Sequence, residues 1–504
     1  MEIKEEIFRI CSQNSILIDK EILKNLEKLE TNLSKKIILS FVKLGKKGIL
    51  TKDFFLNSFY DIINFFDNNE KTLVKNFFVS LGFKEKTEER KIISYSEKVK
   101  IILSYNSPQK KISVSDFIDL FNYRYNFLKE LLIQKNLGNY KPIKKITRER
   151  SNIIIIVSIL NKRVTKNNNI IFDVEDLSGI GKVIVNFSKN STFEKAKKIL
   201  PDDVVAFSVF SNGEVFFAND VFFPDCFLQD RKKSKEEEFT AFISDIHVGS
   251  TMFLERNFRS FIEWLNSEDQ IAKKVRYLFI IGDCVDGTAV YPEQEKYLLI
   301  KDMYKQYEYL GNLLDEIKKD IKIIICPGQH DAVWVGEPQP PIPKEWAKKI
   351  YELPNVYLVS NPSLVEISEG FKVLMYHGAG MHGIIESLEE IRASFGHRSP
   401  SVVIKEMLRR RLLCPAHGNY DYVPNGKKDF HLIEEIPDII CTGDLHRPEV
   451  SYYNNILIVS SSCWQSKTPF EEKVGHEPDP CKVPILNLKT REIKILNFSN
   501  EEKF

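Results

Sequence analysis

The sequence has no two cysteines spaced as Cys-x-x-Cys, although it contains eight of them, at 11, 226, 284, 326, 414, 441, 463 and 481. That scatter excludes a zinc knuckle, indicates no disulfide framework, and points to reduced thiols in a cytosolic protein. No apolar run is long enough to span a bilayer. The opening MEIKEEIFRICSQN lacks the apolar core of a secretion signal. Net charge is nearly absent as well: 72 Lys+Arg against 70 Asp+Glu leave +2. Any affinity for nucleic acid must therefore come from a local patch. Histidine is missing from the first 246 residues, all nine lying at or after His247. Neither an internal repeat nor a polymerase signature is present.

What is there is an ordinary globular balance, 43% hydrophobic and 28% charged, over 504 residues. A chain of that length divides into about two to four domains. Residues 1–70 read as a small helical domain. Leu17, Ile18, Ile22, Leu23, Leu26 and Leu29 recur at helical spacing, Ile37, Ile38, Phe41, Val42 and Leu44 continue it, and Thr51 offers an N-cap. This part reads as a docking module without chemistry. Residues 71–112 are polar, Lys/Glu-rich and weakly periodic, as in a linker. Residues 113–136 form an amphipathic helix, with Phe117, Leu120, Phe121, Tyr125, Leu128, Leu131 and Leu132 on one side and Ser115 or Asp116 as cap. Between 150 and 225 come β-branched runs (NIIIIVSIL, NIIFDVEDL, GKVIVNF, VVAFSVF, EVFFANDVFF), with a helical stretch FEKAKKIL after the third. Five strands with a helix in that place are the pattern of an OB-fold barrel, a fold that binds single strands in some proteins and subunits in others. The helix and barrel together make a domain over 113–230. RKKSKEEE (231–238) reads as a solvated connector, and residues 239–498 alternate short strands and helices as an α/β sandwich does.

Within that last domain five segments share one layout, an apolar strand followed at once by Asp, His or Gly-Asp: TAFISDIHVG, YLFIIGDCVDG, IIICPGQHDA, VLMYHGAG and IICTGDLHRP. Function in α/β sheets gathers in the loops past the carboxyl ends of strands. The pattern thus places Asp245, His247, Asp283, Gln329, His330, His377, Asp444 and His446 around one rim. Oxygen and imidazole ligands without thiolate suit Mn²⁺, Mg²⁺, Zn²⁺ or Fe. Two such ions can clamp both oxygens of an in-line phosphodiester displacement, which needs one carboxylate reaching both. Asp283 is placed for that, because Gly282 admits close backbone approach. A single Asp-x-His is as often a cap or turn as a ligand; the five segments together carry the metal reading.

The order D-x-H, G-D-x-x-D-G, G-N-H-D, H-G, G-H-x-H resembles the calcineurin-like phosphoesterases. The stretches SDIHVGS, IGDCVDG with YPEQE, PGQHDA with EPQPP, YHG and WQSKTPFEEKVGHEPDPCKVP resemble more narrowly the small subunits of archaeal family D DNA polymerases. The resemblance spans about residues 110–490. It implies a calcineurin-like α/β sandwich joined to an OB-fold domain and a small helical domain. It also implies a 3′→5′ proofreading exonuclease using two divalent ions, Mn²⁺ first among them. Metal A would be held by Asp245, His247, bridging Asp283 and His446. Metal B would be held by Asp283, Gln329, His377 and Asp444. His330, oriented by Asp331, would act at the phosphate while activated water attacks in line. The implied partners are a large catalytic subunit, a single-stranded DNA 3′ end and, through the holoenzyme, a sliding clamp; the implied location is cytoplasmic, at the nucleoid. Two ligands depart from the pattern, Gln329 for Asn and Asp444 for His, both at metal B. The alternative is accordingly a weakened phosphoesterase serving as an assembly subunit. A free-standing phosphatase is disfavoured by the extra domains.

Other residues are ambiguous on sequence. His382, His397, His417, His431 and His476 lack strand-end context and read as surface or loop residues; His382 is close enough to His377 to line the cleft, but the surface reading is preferred. Lys405, Arg409, Arg410 and Arg411 fit a phosphate contact or a solvated or partner face equally. Tyr291 and Trp334 could stack on a base or pack their own loops.

Overall fold

The computed structural model describes residues 3–14, 16–43, 48–81, 99–106, 111–415, 418, 420–421, 423–424 and 428–499. They fall into two compact units, Met1–Ser94 and Tyr95–Phe504.

The first unit is mostly helical: Ile3–Gln13, Lys20–Leu26, Thr31–Lys43, Lys52–Asn57, Phe59–Ile62 and Asn68–Ser80. Its core gathers Ile22, Ile37, Phe41, Phe55 and Phe78. The Phe55 ring stacks between Phe41 and Phe78, with centroids 4.7 and 4.9 Å away. The helical reading of Leu17 and Ile18 is corrected, because Ile16–Ile18 is a strand paired in parallel with Gly48–Leu50. With Leu17 exposed and Ile16 buried, the run has the period of two that a strand needs. Leu44 lies outside the described residues.

The second unit is built on two six-stranded sheets. The first runs Val356–Leu358, Lys322–Cys326, Val275–Ile281, Phe239–Ile243, Lys482–Asn487, Ile493–Asn497. The second runs Glu449–Tyr453, Ile456–Ser460, Ile439–Thr442, Phe371–Met375, Ser363–Ile367, Val99–Ser104. Strand alternation explains the layering. Tyr277, Phe279 and Ile281 face the second sheet, meeting Val373, Met375 and Val459. Leu278 and Ile280, one residue out of phase, meet the helices Glu255–Asn266 and Met303–Asp315 through Phe261 and Leu310. The second sheet is covered on its far side by Gly380–Ser387 and Pro400–Arg410, which contribute Ile384, Val403 and Met407. The result is the expected α/β sandwich, in four layers.

Between the edge strand and the sandwich, the chain forms the helix Val114–Gln134 and then a closed five-stranded barrel. The barrel strands are Arg148–Val164, Ile170–Asp176, Gly179–Val185, Val204–Asn212 and Phe216–Phe222, with the helix Asn190–Lys197 after the third. The long helix lies within the expected range, but its cap is Ser113 rather than Ser115 or Asp116, the Ser113 backbone N–H donating to Asp116 Oδ2 at 2.7 Å.

The linker reading of residues 71–112 is corrected over the described part of that range, residues 82–98 and 107–110 lying outside it. The helix Asn68–Ser80 fills its start, and Val99–Ser104 pairs antiparallel with Ser363–Ile367 to form the edge of the second sheet. The run is short and flanked by charge, so periodicity gave little sign of it.

Barrel and sandwich form one unit because charged groups are buried between them. Arg410 Nε donates to Asp203 Oδ1 at 3.0 Å, and Arg410 Nη1 to Glu406 Oε2 at 2.6 Å. Arg411 donates to the carbonyls of Ile433 and Glu434. Both guanidiniums are buried, so of this basic cluster only Lys405 and Arg409 retain exposure towards solvent. Arg124, on the long helix, donates from Nε to Asp429 Oδ2 at 2.6 Å, both side chains buried.

Candidate metal centre

The strands Phe239–Ile243 and Val275–Ile281 lie side by side and parallel. Their following loops therefore emerge at the same sheet end and lace together: Asp245 N donates to Gly282 O at 3.0 Å, and His247 N to Asp283 O at 3.1 Å. Asp245, His247, Asp283, Asp444 and His446 all take left-handed backbone conformations, with φ between 46° and 66°. For a residue with a side chain that conformation costs on the order of 1–3 kcal/mol and persists only where its surroundings impose it. Clustering at one rim marks a functional site.

Four imidazoles converge there with one tautomer. His377 Nδ1 is 2.8 Å from the Ile281 carbonyl, and His330 Nδ1 is 2.8 Å from the Asp286 carbonyl. A carbonyl only accepts, so both rings carry the proton on Nδ1. His247 Nδ1 meets Asp286 Oδ1 at 3.1 Å, and His446 Nδ1 meets Glu471 Oε1 at 2.7 Å. Burial would raise Asp286 and Glu471, but His247 and His446 respectively hold them below the usual carboxylate range, so both accept. All four rings therefore turn Nε2 inward. His377 Nε2 is 3.3 Å from Asp283 Oδ2 and 4.0 Å from Asp245 Oδ1. His446 Nε2 is 3.3 Å from Asp245 Oδ1 and 3.4 Å from His247 Nε2.

Two Nε2 atoms face each other at that last distance, and a third, on His377, faces carboxylates. Only a cation relieves the arrangement. His377 Nε2 and Gln329 Oε1 are buried without a hydrogen-bond partner. In a metal-free chain the cation is a proton. Burial favours neutral His377, yet Asp283, Asp245 and Asp444 hold its pKa well above the ordinary imidazole value. Asp283 mirrors it: burial would raise its pKa, but His377, His330 and His247 hold it far below. Ligand atoms within 4.8 Å of one another group as Asp245/His247/His446, as Asp245/Asp283/His377 and as His247/Asp283/His330. The residues present fit a divalent ion on either side of the two aspartates.

Gly282 is required by this packing in a way the sequence could not specify. It sits at φ +77°, and a Cβ there would lie 2.2 Å from His377 Nδ1. Gly282→Ala is expected to cost about 1–3 kcal/mol, or more, through strain alone. It should also detach His377 from the Ile281 carbonyl, lowering both the urea midpoint and Mn²⁺ affinity in titration calorimetry.

One sequence expectation fails on geometry. Asp331 does not orient His330. Its carboxylate accepts from Gly328 N at 2.9 Å, Cys284 N at 3.2 Å and Tyr307 Oη at 2.8 Å. These bonds lock the loop; burial, then the charge of Asp283, raise its pKa to about 6. His330 is oriented by the Asp286 carbonyl and by its own N–H to Asp283 Oδ1 at 2.9 Å. The two departing residues meet each other: Gln329 Nε2 donates to Asp444 Oδ1 at 3.3 Å.

Asp286, Glu471, Gln294 and Gln465 were not singled out on sequence. Gln294 and Gln465 donate to the two Asp286 oxygens, each at 3.1 Å. All four lie in stretches that carry the family resemblance (CVDG, YPEQE, WQSK, PFEEK), but not at strand ends. The reading of His382, His397 and His476 as plain surface residues is corrected, since all three are half-buried on the wall of the same cavity, about 410 Å³. His431 is buried, between Glu337 and Asp429. His417 lies outside the described residues. Tyr291 lines the cavity. Trp334 packs its own loop, donating to the Pro338 carbonyl at 3.0 Å.

Comparison with known proteins gives the context. The B-subunit family of DNA polymerases alpha and epsilon matches residues 240–451. The chain is 36% identical over 395 residues to the DNA polymerase II small subunit of Methanothermobacter thermautotrophicus, covering 77% of this chain and 80% of that one. It is 36% identical to the protein of that name from Pyrococcus furiosus, covering 78% of this chain but only 65% of that longer one. The structure of an archaeal phosphodiesterase aligns at 15% identity with a TM-score of 0.25, covering 51% of this chain and 98% of that one. Among the described residues no helix is long and apolar enough to cross a membrane.

Proposed function

The chain belongs to the family of archaeal DNA polymerase II small subunits, and on that premise we propose that it removes mispaired 3′ nucleotides as the exonuclease subunit of a family D polymerase. The observation supporting this is the convergence of four histidine Nε2 atoms on Asp245 and Asp283 beside an open cleft. Asp245, His247 and His446 would hold one divalent ion. Asp283, His377 and Gln329 would hold the other, with Asp444 beside it and Asp283 reaching towards both. Mn²⁺ is the first choice, with Mg²⁺, Zn²⁺ or Fe compatible with oxygen and imidazole donors. When bound, such a pair supplies Lewis-acid stabilisation of charge on the phosphoryl group.

The protein's own part is positioning. Asp286 and Glu471 fix the tautomers of His247 and His446, the role outer carboxylates play at metal sites. His330, held by the Asp286 carbonyl and by Asp283, keeps Nε2 beside the cleft, where it would contact the phosphate. Asp331 locks the loop that carries it. Tyr291 stands where a frayed terminal base would stack. We read the barrel as an OB-fold and, with the helix before it, as a domain over 113–230 that meets DNA or the large subunit. The large subunit supplies synthesis and, through the holoenzyme, any contact with a sliding clamp. The site of action is the chromosome in the cytoplasm.

The contact between Gln329 and Asp444 favours one second reading, a weakened nuclease retained for assembly. Mn²⁺-dependent degradation of a 3′-mismatched primer separates the two. The purified chain is expected to shorten the primer, and chelation to stop it. If the parent is inert alone and with the large subunit while Asp444→His is active, the inherited site has been silenced. Inactivity of both leaves the assembly reading.

A further inference from the structure

His382, His397 and His476 come from three separate elements, yet one ring nitrogen of each lies within 4.8 Å of the others. His382 Nδ1 and His397 Nε2 are 3.3 Å apart. The rings of His397 and His476 have centroids 4.2 Å apart. On its other nitrogen His382 meets Asp444 Oδ2 at 2.8 Å. A carboxylate on one imidazole nitrogen with the other directed into a nest of imidazoles is the carboxylate–histidine–metal arrangement. A tetrahedral ion with bonds of about 2.0–2.1 Å to nitrogen separates its donors by roughly 3.3–3.4 Å, the spacing found between His382 and His397.

We propose that His382, His397 and His476 form a third metal site, separate from the aspartate-centred pair, that binds a first-row transition ion such as Zn²⁺, Co²⁺ or Ni²⁺ and leaves its fourth position open to the cleft. Three imidazole donors suit these ions and disfavour Mg²⁺ and Ca²⁺. Burial, then the neighbouring rings, keeps His476 and His397 neutral, at about 4 in the case of His476. The site also accounts for Asp444. Its Oδ1 faces His377 at 3.9 Å while its Oδ2 holds His382, so the residue that replaces the family's histidine links the two centres. The open position faces the same cavity as His330 and Tyr291, where an anionic oxygen of a bound strand can fill it. The proposal stands whether or not the cleft is a nuclease.

The test is cobalt titration of the chelated, full-length chain, read by visible absorption and by bound metal per chain. The parent should develop the intense band of tetrahedral Co²⁺. His397→Ala and His476→Gln, both at half-buried positions, should each abolish that band and lose roughly one equivalent of cobalt. His377→Ala should keep the band while losing metal from the aspartate-centred pair. An unchanged spectrum and stoichiometry in both His397→Ala and His476→Gln would overturn the proposal, as would loss of the band in His377→Ala with retention in the other two.

Discussion

Asp283→Asn is expected to abolish Mn²⁺-dependent release of 3′ nucleotides, by at least on the order of 10³-fold, while the chain stays folded. The size follows from where the carboxylate stands. Asp283 Oδ2 lies 3.3 Å from His377 Nε2, 3.9 Å from His330 Nε2 and 4.0 Å from His247 Nε2. It is thus the oxygen that reaches ligands on both sides. The amide is nearly isosteric and keeps an acceptor for the His330 N–H, so the loop should hold. It removes the negative charge, however, and it can turn an NH₂ group towards lone pairs that already lack a partner. Primer degradation and calorimetric Mn²⁺ titration check the result, with circular dichroism as control. A variant that retained a tenth of the parent's rate would remove Asp283 from the centre of the chemistry.

Arg124→Met is expected to lower the stability of the second unit by about 3–5 kcal/mol, the cost of leaving one half of a buried ion pair alone. Asp429 is the half left behind. It also accepts the His431 N–H at 3.0 Å, and His431 Nε2 lies 3.2 Å from Glu337 Oε2. Glu337 accepts from Asn361, whose side-chain oxygen accepts the backbone N–H of His377 at 2.9 Å. A continuous buried polar chain thus joins the long helix to a candidate metal ligand. Arg124→Met should therefore weaken metal binding as well as lower the urea midpoint; a loss below about 1 kcal/mol would refute the account. The chain also sets a pH window. Burial would raise Asp429, but Arg124 and His431 hold it well below the carboxylate range. Its stabilisation is complete above about pH 4 and fades on acidification. Burial would lower His431, but Asp429 and Glu337 raise it. Its stabilisation is complete below about pH 6.5 and fades as pH rises through the raised value. The network is firmest between those limits.

The sandwich was legible in the sequence because each central strand is an apolar run that ends at a chemically distinctive residue. Asp245, His247, Asp283, His377 and His446 were legible for the same reason, and the structure gathers them around one cleft. What escaped has a common cause. His382, His397 and His476 meet only through tertiary structure, and no period connects them. Arg124 sits at an apolar register of its helix, and its burial depends on an acid 305 residues away. The role of Asp331 beside His330 was implied by the resemblance alone, and its carboxylate turns instead to Gly328, Cys284 and Tyr307. The edge strand Val99–Ser104 is too short, and its surroundings too polar, for periodicity to reveal.

That strand constrains how the protein is made. Val99 pairs with Ile367, and Ser104 with Ser363, so the partner leaves the ribosome more than 250 residues later. At roughly 5–20 residues per second, the strand waits on the order of 10–50 s with its backbone groups unpaired. Meanwhile the barrel, whose strands are consecutive, can close. The second sheet thus joins its oldest segment to a strand made much later, while its opposite edge, Glu449–Tyr453 and Ile456–Ser460, is made last of all. A nascent chain halted before residue 363 carries a folded barrel beside an unpaired strand, a species that a chaperone or a neighbouring nascent chain can engage.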